Sequence, residues 1–336
     1  MDWAKGYEAS YIMHTVDPAT WRDTDTIQIT GGSIKRELTG KRESADVDCK
    51  GIDIGIERWV RIYLETRQDG ASERTALFTG LATSPADEFE GIVRNNTLTC
   101  YSVLKPCEDV ALPIGWYAPK NTSGAEVIRR LLSVTPAPCV IQPYAPLLSD
   151  HIVAESNETH LTMIDKILTA IDWRLWIDGN GVIRVESKTS EPVASFDPIE
   201  NDMIETKVRV SGDWYNCPNV YRATSGDVTG IARDENPDSA LSIPARGREV
   251  WKSESGVNLA SGETIAQYAQ RMLRQAQQVK KSASYTRRYV PTVKPGDHVR
   301  MAYPAQGLTG VYMVESQTVT LSYSASTDEQ ILEATS

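Results

Sequence analysis

From residue 7 to about 104 the chain alternates apolar and polar residues with a period of two, interrupted by turn residues every ten or so positions. This pattern limits what the chain can fold into more than any other feature it has. Successive side chains on a strand point to opposite faces, so sustained alternation requires half-buried strands, and closely spaced turns require antiparallel pairing. Ile27-Gln28-Ile29-Thr30 alternates before Gly31-Gly32, read here as a turn. Val47-Asp48-Cys49-Lys50 and Val60-Arg61-Ile62-Tyr63-Leu64 alternate again. Gln68-Asp69-Gly70 then turns the chain and Thr75–Gly80 returns it. Asn95-Asn96 is read as separating Ile92-Val93 from Thr97–Val103. The expectation for residues 1–105 is an antiparallel β-barrel-like domain.

The texture changes at residue 106. Prolines at 106, 113, 119, 136, 138, 143 and 146 make the stretch to 150 irregular, apart from one helix. Ser123, three residues before Glu126, predicts a capping box at its start, and Val127, Ile128, Leu131 and Leu132 predict its buried face. A second helix is expected after Ser156-Asn157-Glu158-Thr159, with Leu161, Ile164, Ile167, Leu168 and Ile171 on one side. It feeds a hairpin made of Trp173–Ile177, the turn Asp178-Gly179-Asn180-Gly181 and Val182–Glu186. Residues 106–200 therefore read as a mixed α/β insert lobe. From 201 to 336 strands resume around a long helix near 262–281 whose apolar side is Ile265, Tyr268, Ala269, Met272, Ala276 and Val279. The last strands expected are Gly310–Ser316 and Thr318–Tyr323. The predicted fold is mainly β with an α/β insert: two antiparallel β-barrel-like domains, 1–105 and 201–336, flanking the lobe.

Chemistry is sparse. His14, His151, His160 and His298 have no zinc-hydrolase spacing. The chain has no Gly-x-Ser-x-Gly elbow, phosphate loop or dinucleotide fingerprint. Asp178-Gly179-Asn180-Gly181 fails as a calcium loop, because Gly181 falls at its fourth position and a calcium loop has its glycine at the sixth. Cys49, Cys100, Cys107, Cys139 and Cys217 form no paired motif and read as buried free thiols. No catalytic residue, cofactor or metal ligand is assigned, and the expectation is that the protein is not an enzyme. No stretch is long and apolar enough for a transmembrane helix, and Met1–Glu8 does not read as a signal peptide, so synthesis in a cytoplasm without membrane insertion is expected. With 35 Lys and Arg against 45 Asp and Glu, the net charge of −10 disfavours stable nucleic-acid binding.

One segment runs against that charge. From Thr264 to Gly296 there is no Asp or Glu, while Arg271, Arg274, Lys280, Lys281, Arg287, Arg288 and Lys294 are all positive. This is a solvated face, a docking surface for an acidic neighbouring subunit or, third, a nucleic-acid groove, against which stands the absence of a row of aromatics beyond Tyr285 and Tyr289. Arg271, Arg274, Lys280, Lys281, Arg287 and Arg288 are the interface candidates. Eight tryptophans against three phenylalanines read as core or interface anchors.

Four stretches in order carry a family resemblance: Ile27–Val47; Leu161–Val185; Cys217-Pro218-Asn219-Val220-Tyr221 with Asn236–Ile243 and Arg246-Gly247-Arg248; and the helix Ile265–Val279 followed by Val293-Lys294-Pro295-Gly296-Asp297-His298-Val299. Together they resemble the baseplate hub proteins of tailed phages and contractile particles, of the late-control and defective-prophage hub type. The resemblance implies a homotrimer located in the virion baseplate and made in the bacterial host cytoplasm. Its ring would adapt a hexameric tail tube to a trimeric central spike, contact baseplate wedge or distal tail proteins, and let DNA pass through its lumen. Because the chain ends at Ser336, no fused lysozyme, peptidase or spike is expected. Two other classes stay open: a tail-tip cell-wall or capsule hydrolase using a carboxylate pair, and a carbohydrate-binding module using the tryptophans.

Overall fold

The computed structural model describes residues 1–50, 57–90, 93–144, 146–201, 203–212, 214–215, 217–257, 264–277, 281–323 and 325–334. The alternating N-terminal third forms strands β1 (Glu8–Val16), β2 (Asp23–Glu37), β3 (Glu43–Lys50), β4 (Arg58–Gln68), β5 (Ala71–Glu90) and β6 (Val93–Ser102). They pair antiparallel in the order β1-β4-β5-β6-β3-β2, and β1 pairs again with β2, which closes a six-stranded barrel. Every second residue points inward, so Met13, Ile34, Val47, Ile62, Leu64, Leu77 and Leu98 fill its core. Asp69 and Gly70 take positive φ and make the predicted β4–β5 turn.

Two expected turns are not turns. Gly31-Gly32 lies inside β2, at an irregularity in its pairing with β3. Gly32 has φ +135°, and a Cβ there would sit 2.2 Å from the Asp46 carbonyl oxygen, so glycine is needed for close backbone approach within a bulge. Asn95-Asn96 lies inside β6, with Asn96 buried.

The next segment forms α1 (Lys105–Asp109), β7 (Tyr117–Ala118), α2 (Gly124–Leu131), β8 (Cys139–Ile141), β9 (Ile152–Val153), α3 (His160–Ile171), β10 (Trp173–Ile177) and β11 (Ile183–Ser187). Ser123 is the N-cap of α2 as expected, but its side chain makes no capping bond, and Glu126 instead pairs with Arg130 one turn on. A reciprocal capping box does form at α3, between Thr159 and Thr162. The predicted faces of both helices are buried in a core shared with Trp173, Leu175, Ile177, Ile183 and Val185. Asp178 closes the β10–β11 turn by accepting from the amides of Asn180 and Val182. Arg184 holds its other carboxylate oxygen at 3.0 Å. A Cβ on Gly179 would meet the Ala76 carbonyl oxygen at 1.8 Å, so this tip is pressed against β5. Trp21 Nε1 and Thr79 Oγ1 donate to the carbonyls of Asn180 and Gly179, each at 2.8 Å, fixing it there.

The remaining chain gives β12 (Pro192–Phe196), β13 (Ile204–Gly212), β14 (Val220–Ser225), β15 (Val228–Arg233), α4 (Ile243–Arg246), β16 (Trp251–Ser255), α5 (Ile265–Ala276), β17 (Lys281–Arg288), β18 (His298–Tyr303), β19 (Leu308–Thr320) and β20 (Ser326–Glu333). Strands β12, β18, β19, β20, β17 and β13 lie in that order. Among the described residues no β12–β13 pairing closes them into a ring. The first half of β19 pairs with β18 and its second half with β2, from Ser316 opposite Glu37 to Thr320 opposite Ser33. The two strand-rich halves therefore share one continuous sheet.

The expected block 201–336 is divided. One compact unit comprises Met1–Arg209 and Ser284–Ile331, the other Val210–Ala283 and Leu332–Ser336. The smaller unit is a three-stranded sheet, β15-β14-β16, with α5 packed on it through Tyr221, Ala223, Ala232, Tyr268, Ala269 and Leu273. The predicted helix near 262–281 is observed as Ile265–Ala276, and Val279 lies outside the described residues. Gly310–Ser316 and Thr318–Tyr323 fall mostly on the single strand β19, and β20 was not anticipated.

Candidate functional site

The described basic candidates are divided between the two compact units, and one of them is buried. Arg271 and Arg274 are exposed on α5, with Arg271 over the Tyr268 ring at 5.0 Å, and Lys281 is exposed at the start of β17. These three belong to the smaller unit, whereas Arg287 and Arg288 belong to the larger. Lys280 lies outside the described residues. Arg288 is exposed and donates to the Ala4 carbonyl. Arg287 must be struck from the interface set. Its side chain is 0% exposed and meets Glu329, also 0% exposed, in a two-pronged pair at 2.6 and 2.9 Å.

That pair is bonded on every side by further buried groups. Tyr285 Oη (2.5 Å) and Gln317 Nε2 (2.6 Å) also donate to Glu329, and Arg287 Nη1 donates to the Arg288 carbonyl at 2.8 Å. Burial alone would push the Glu329 carboxyl up, but Arg287 and the two neutral donors hold it below its ordinary value. The sequence carried a signal for this. Alternation along β17 puts Arg287 in phase with Ala283, Tyr285 and Tyr289, all buried.

A cavity of about 390 Å³ opens within the larger unit. It is bounded by the β2–β3 segment (Arg36, Leu38, Glu43), by α3 and β10 (Asp165, Leu168, Trp173, Trp176), and by the turn Lys294–Asp297 with His298. The turn follows from its own chemistry. Asp297 Oδ2 accepts from the Lys294 amide at 2.9 Å, and Gly296 takes φ +87°. Ion pairs line the cavity: Arg42 with Asp165 at 2.5 Å, and Arg174 with Glu186 at 2.7 Å and Asp297 at 2.8 Å. Arg36 Nε stands 3.4 Å from Glu43 Oε1, both side chains being nearly solvent-free. Burial drives the Glu43 carboxyl up to about 7 against the pull of Arg36. Burial, aided by Arg36, drives the Lys294 ammonium down to about 8. Lys294 was visible in the sequence as one more positive charge, but nothing local linked it to Glu43.

The smaller unit presents a different kind of surface. Trp214 is 61% exposed, Tyr215 71% and Trp251 44%. Arg248 lies over the Tyr215 ring at 4.9 Å and Arg233 over the Trp251 ring at 5.4 Å. Exposed tryptophan, tyrosine and arginine together are the composition of a protein-binding hot spot. Of the cysteines, Cys49, Cys100, Cys107 and Cys217 are buried free thiols and Cys139 is exposed. Among the described residues no group of three or more His, Cys, Asp or Glu side chains is placed to hold a metal, and no helix is long and apolar enough to cross a membrane.

No protein-family model matches the sequence, and no curated protein matches it. Solved structures do. The chain superposes on the 43 kDa tail protein of prophage MuSo2 from Shewanella oneidensis with a TM-score of 0.70 at 12% identity, over 96% of each chain. It superposes on a tail protein from Neisseria meningitidis with a TM-score of 0.68 at 17% identity, over 98% of this chain and 97% of that one. A component of the type VI secretion system of E. coli, described as similar in structure to the T4 bacteriophage tail proteins gp27 and gp5, matches at 0.53 and 8% identity, over 92% and 74%. The chain has the fold of prophage tail proteins.

Proposed function

We propose that the chain is the structural hub of a phage tail or contractile-injection baseplate. Three copies form a ring that adapts a hexameric tail tube to a trimeric central spike, within a virion or virion-like particle. The observation that carries this reading is the end-to-end likeness in fold to the Shewanella prophage tail protein. Two strand-rich halves joined in one sheet suit it, because two halves in each of three chains give six positions facing a six-fold tube. The exposed Trp214, Tyr215 and Trp251 suit a protein whose work is done through interfaces with the tube, the spike and wedge or distal tail proteins. The function needs no cofactor and no catalysis.

Light scattering behind a sizing column tests it. A mass near three times 37.2 kDa, with three-fold rings by electron microscopy, is expected. A stable dimer would overturn the reading, since two-fold symmetry cannot join six-fold to three-fold. The alternative of a wall or capsule hydrolase has one observation in its favour, the raised carboxyl of Glu43 beside a cavity. Peptidoglycan cleavage lost in Glu43→Gln would establish that alternative.

A further inference from the structure

Most charges around the 390 Å³ cavity are matched. Asp165 takes Arg42, Glu186 and Asp297 take Arg174, and Asp172 takes Lys188. Lys294 has no carboxylate within ion-pair distance among the described residues, and its Nζ rests 3.9 Å above the Trp176 ring. Opposite in charge is Glu43, whose side chain is 6% exposed. Its Oε2 has no hydrogen-bond partner, nor have Arg36 Nε and His298 Nδ1. Buried polar atoms without partners are rare in folded proteins and call for an explanation. The rest of the wall is largely apolar, with Leu38, Leu168, Trp173, Ile177 and Pro295. The volume falls at the small end of organic-ligand sites.

We propose that this cavity binds a small organic carboxylate bearing an adjacent hydrogen-bond donor, the carboxylate on Lys294, the donor on Glu43 Oε2 and the apolar body against Leu38 and Leu168. The chemistry is that of a 2-hydroxy acid, or of the C-terminal residue of a peptide, whose amide N–H stands next to its carboxylate. A simple carboxylate would satisfy Lys294 and leave Glu43 as it is. A cation would meet Lys294, Arg36 and Arg174 together and be repelled. Burial raises the Glu43 carboxyl and lowers the Lys294 ammonium, as expected of two charges that a bound ligand would complete. The site is independent of the hub reading.

Saturation-transfer NMR and thermal shift with the purified full chain test it. The probes are 2-hydroxy-4-methylpentanoate, 4-methylpentanoate, and alanyl-leucine with a free or amidated terminus. The hydroxy acid is expected to bind about tenfold more tightly than the plain acid. Lys294→Gln is expected to weaken every probe by at least about tenfold, and Glu43→Gln to erase the preference between the two acids. Leu38→Trp fills the cavity from a half-buried position without touching a charge and is expected to abolish binding even if the charge variants fold poorly. Tighter binding of alanyl-leucine, lost on amidation, would identify a chain terminus as the source; binding of the hydroxy acid alone would identify a free acid. Absence of saturation transfer for all four probes, or unchanged affinity in Lys294→Gln and Leu38→Trp, would overturn the proposal.

Discussion

Arg287 and Glu329 carry full charges in a place without water, and such a pair is held by the completeness of its bonding. Removing one partner strands the other, so Glu329→Gln is expected to lower stability by about 3–5 kcal/mol in urea denaturation, whereas a paired Arg287→Met, Glu329→Leu replacement should recover most of it. Because the folded Glu329 carboxyl lies below its ordinary 4.5, its contribution is present above that value and is lost as pH falls below it. Glu43 behaves in the opposite sense. Its folded carboxyl is raised to about 7, so stability is full below 4.5 and declines as pH rises toward 7, with Arg36, Lys294 and Asp178 setting the extent. Thermal melts should show the advantage of Glu43→Gln over the parent growing between those two values. An advantage that shrank with rising pH would mean that Arg36 dominates the site.

At the scale of strands and turns, glycine is required where backbones nearly touch. Gly32→Ala should cost about 2–4 kcal/mol, because the new Cβ collides with the Asp46 carbonyl in a conformation alanine avoids. Gly40→Ala, also at positive φ but with open space around it, should cost only about 1 kcal/mol. The β10–β11 hairpin and α3 were legible in the sequence because each is specified locally, by Asn180-Gly181 between alternating runs and by a stripe from Leu161 to Ile171. Gly31-Gly32 and Asn95-Asn96 misled, since residues that favour turns also serve inside bulged or buried strands. Strand β20 stayed hidden because its inward positions include Thr327 and Glu329, so alternation there is not hydrophobic alternation. The cavity left no trace in any window, since its walls come from segments near 40, 170 and 295 that only the fold assembles.

For the whole chain, the division into two compact units has a chemical readout in the cysteines. The smaller unit has the smaller hydrophobic core and should unfold at lower denaturant concentration. A thiol reagent is therefore expected to label Cys139 in the native protein, Cys217 at intermediate urea, and Cys49, Cys100 and Cys107 last. Mass spectrometry of the labelled peptides gives the order, and simultaneous labelling of Cys217 with Cys49 would show that the two units melt as one. The halves of the shared sheet were each foreseeable from alternation. Their fusion was not, because the β2–β19 register joins Ser33–Glu37 to residues some 280 positions away.

That distance also sets a schedule on the ribosome. Residues 8–102 can close their barrel as soon as β6 emerges, yet the second half of β2 waits for β19, a delay of roughly a quarter of a minute to a minute at ordinary rates of translation. Throughout that interval a strand edge stands open on the nascent chain. Exposed Lys35 and Glu37 put charge along that edge, the means by which proteins keep waiting strands from pairing with strangers.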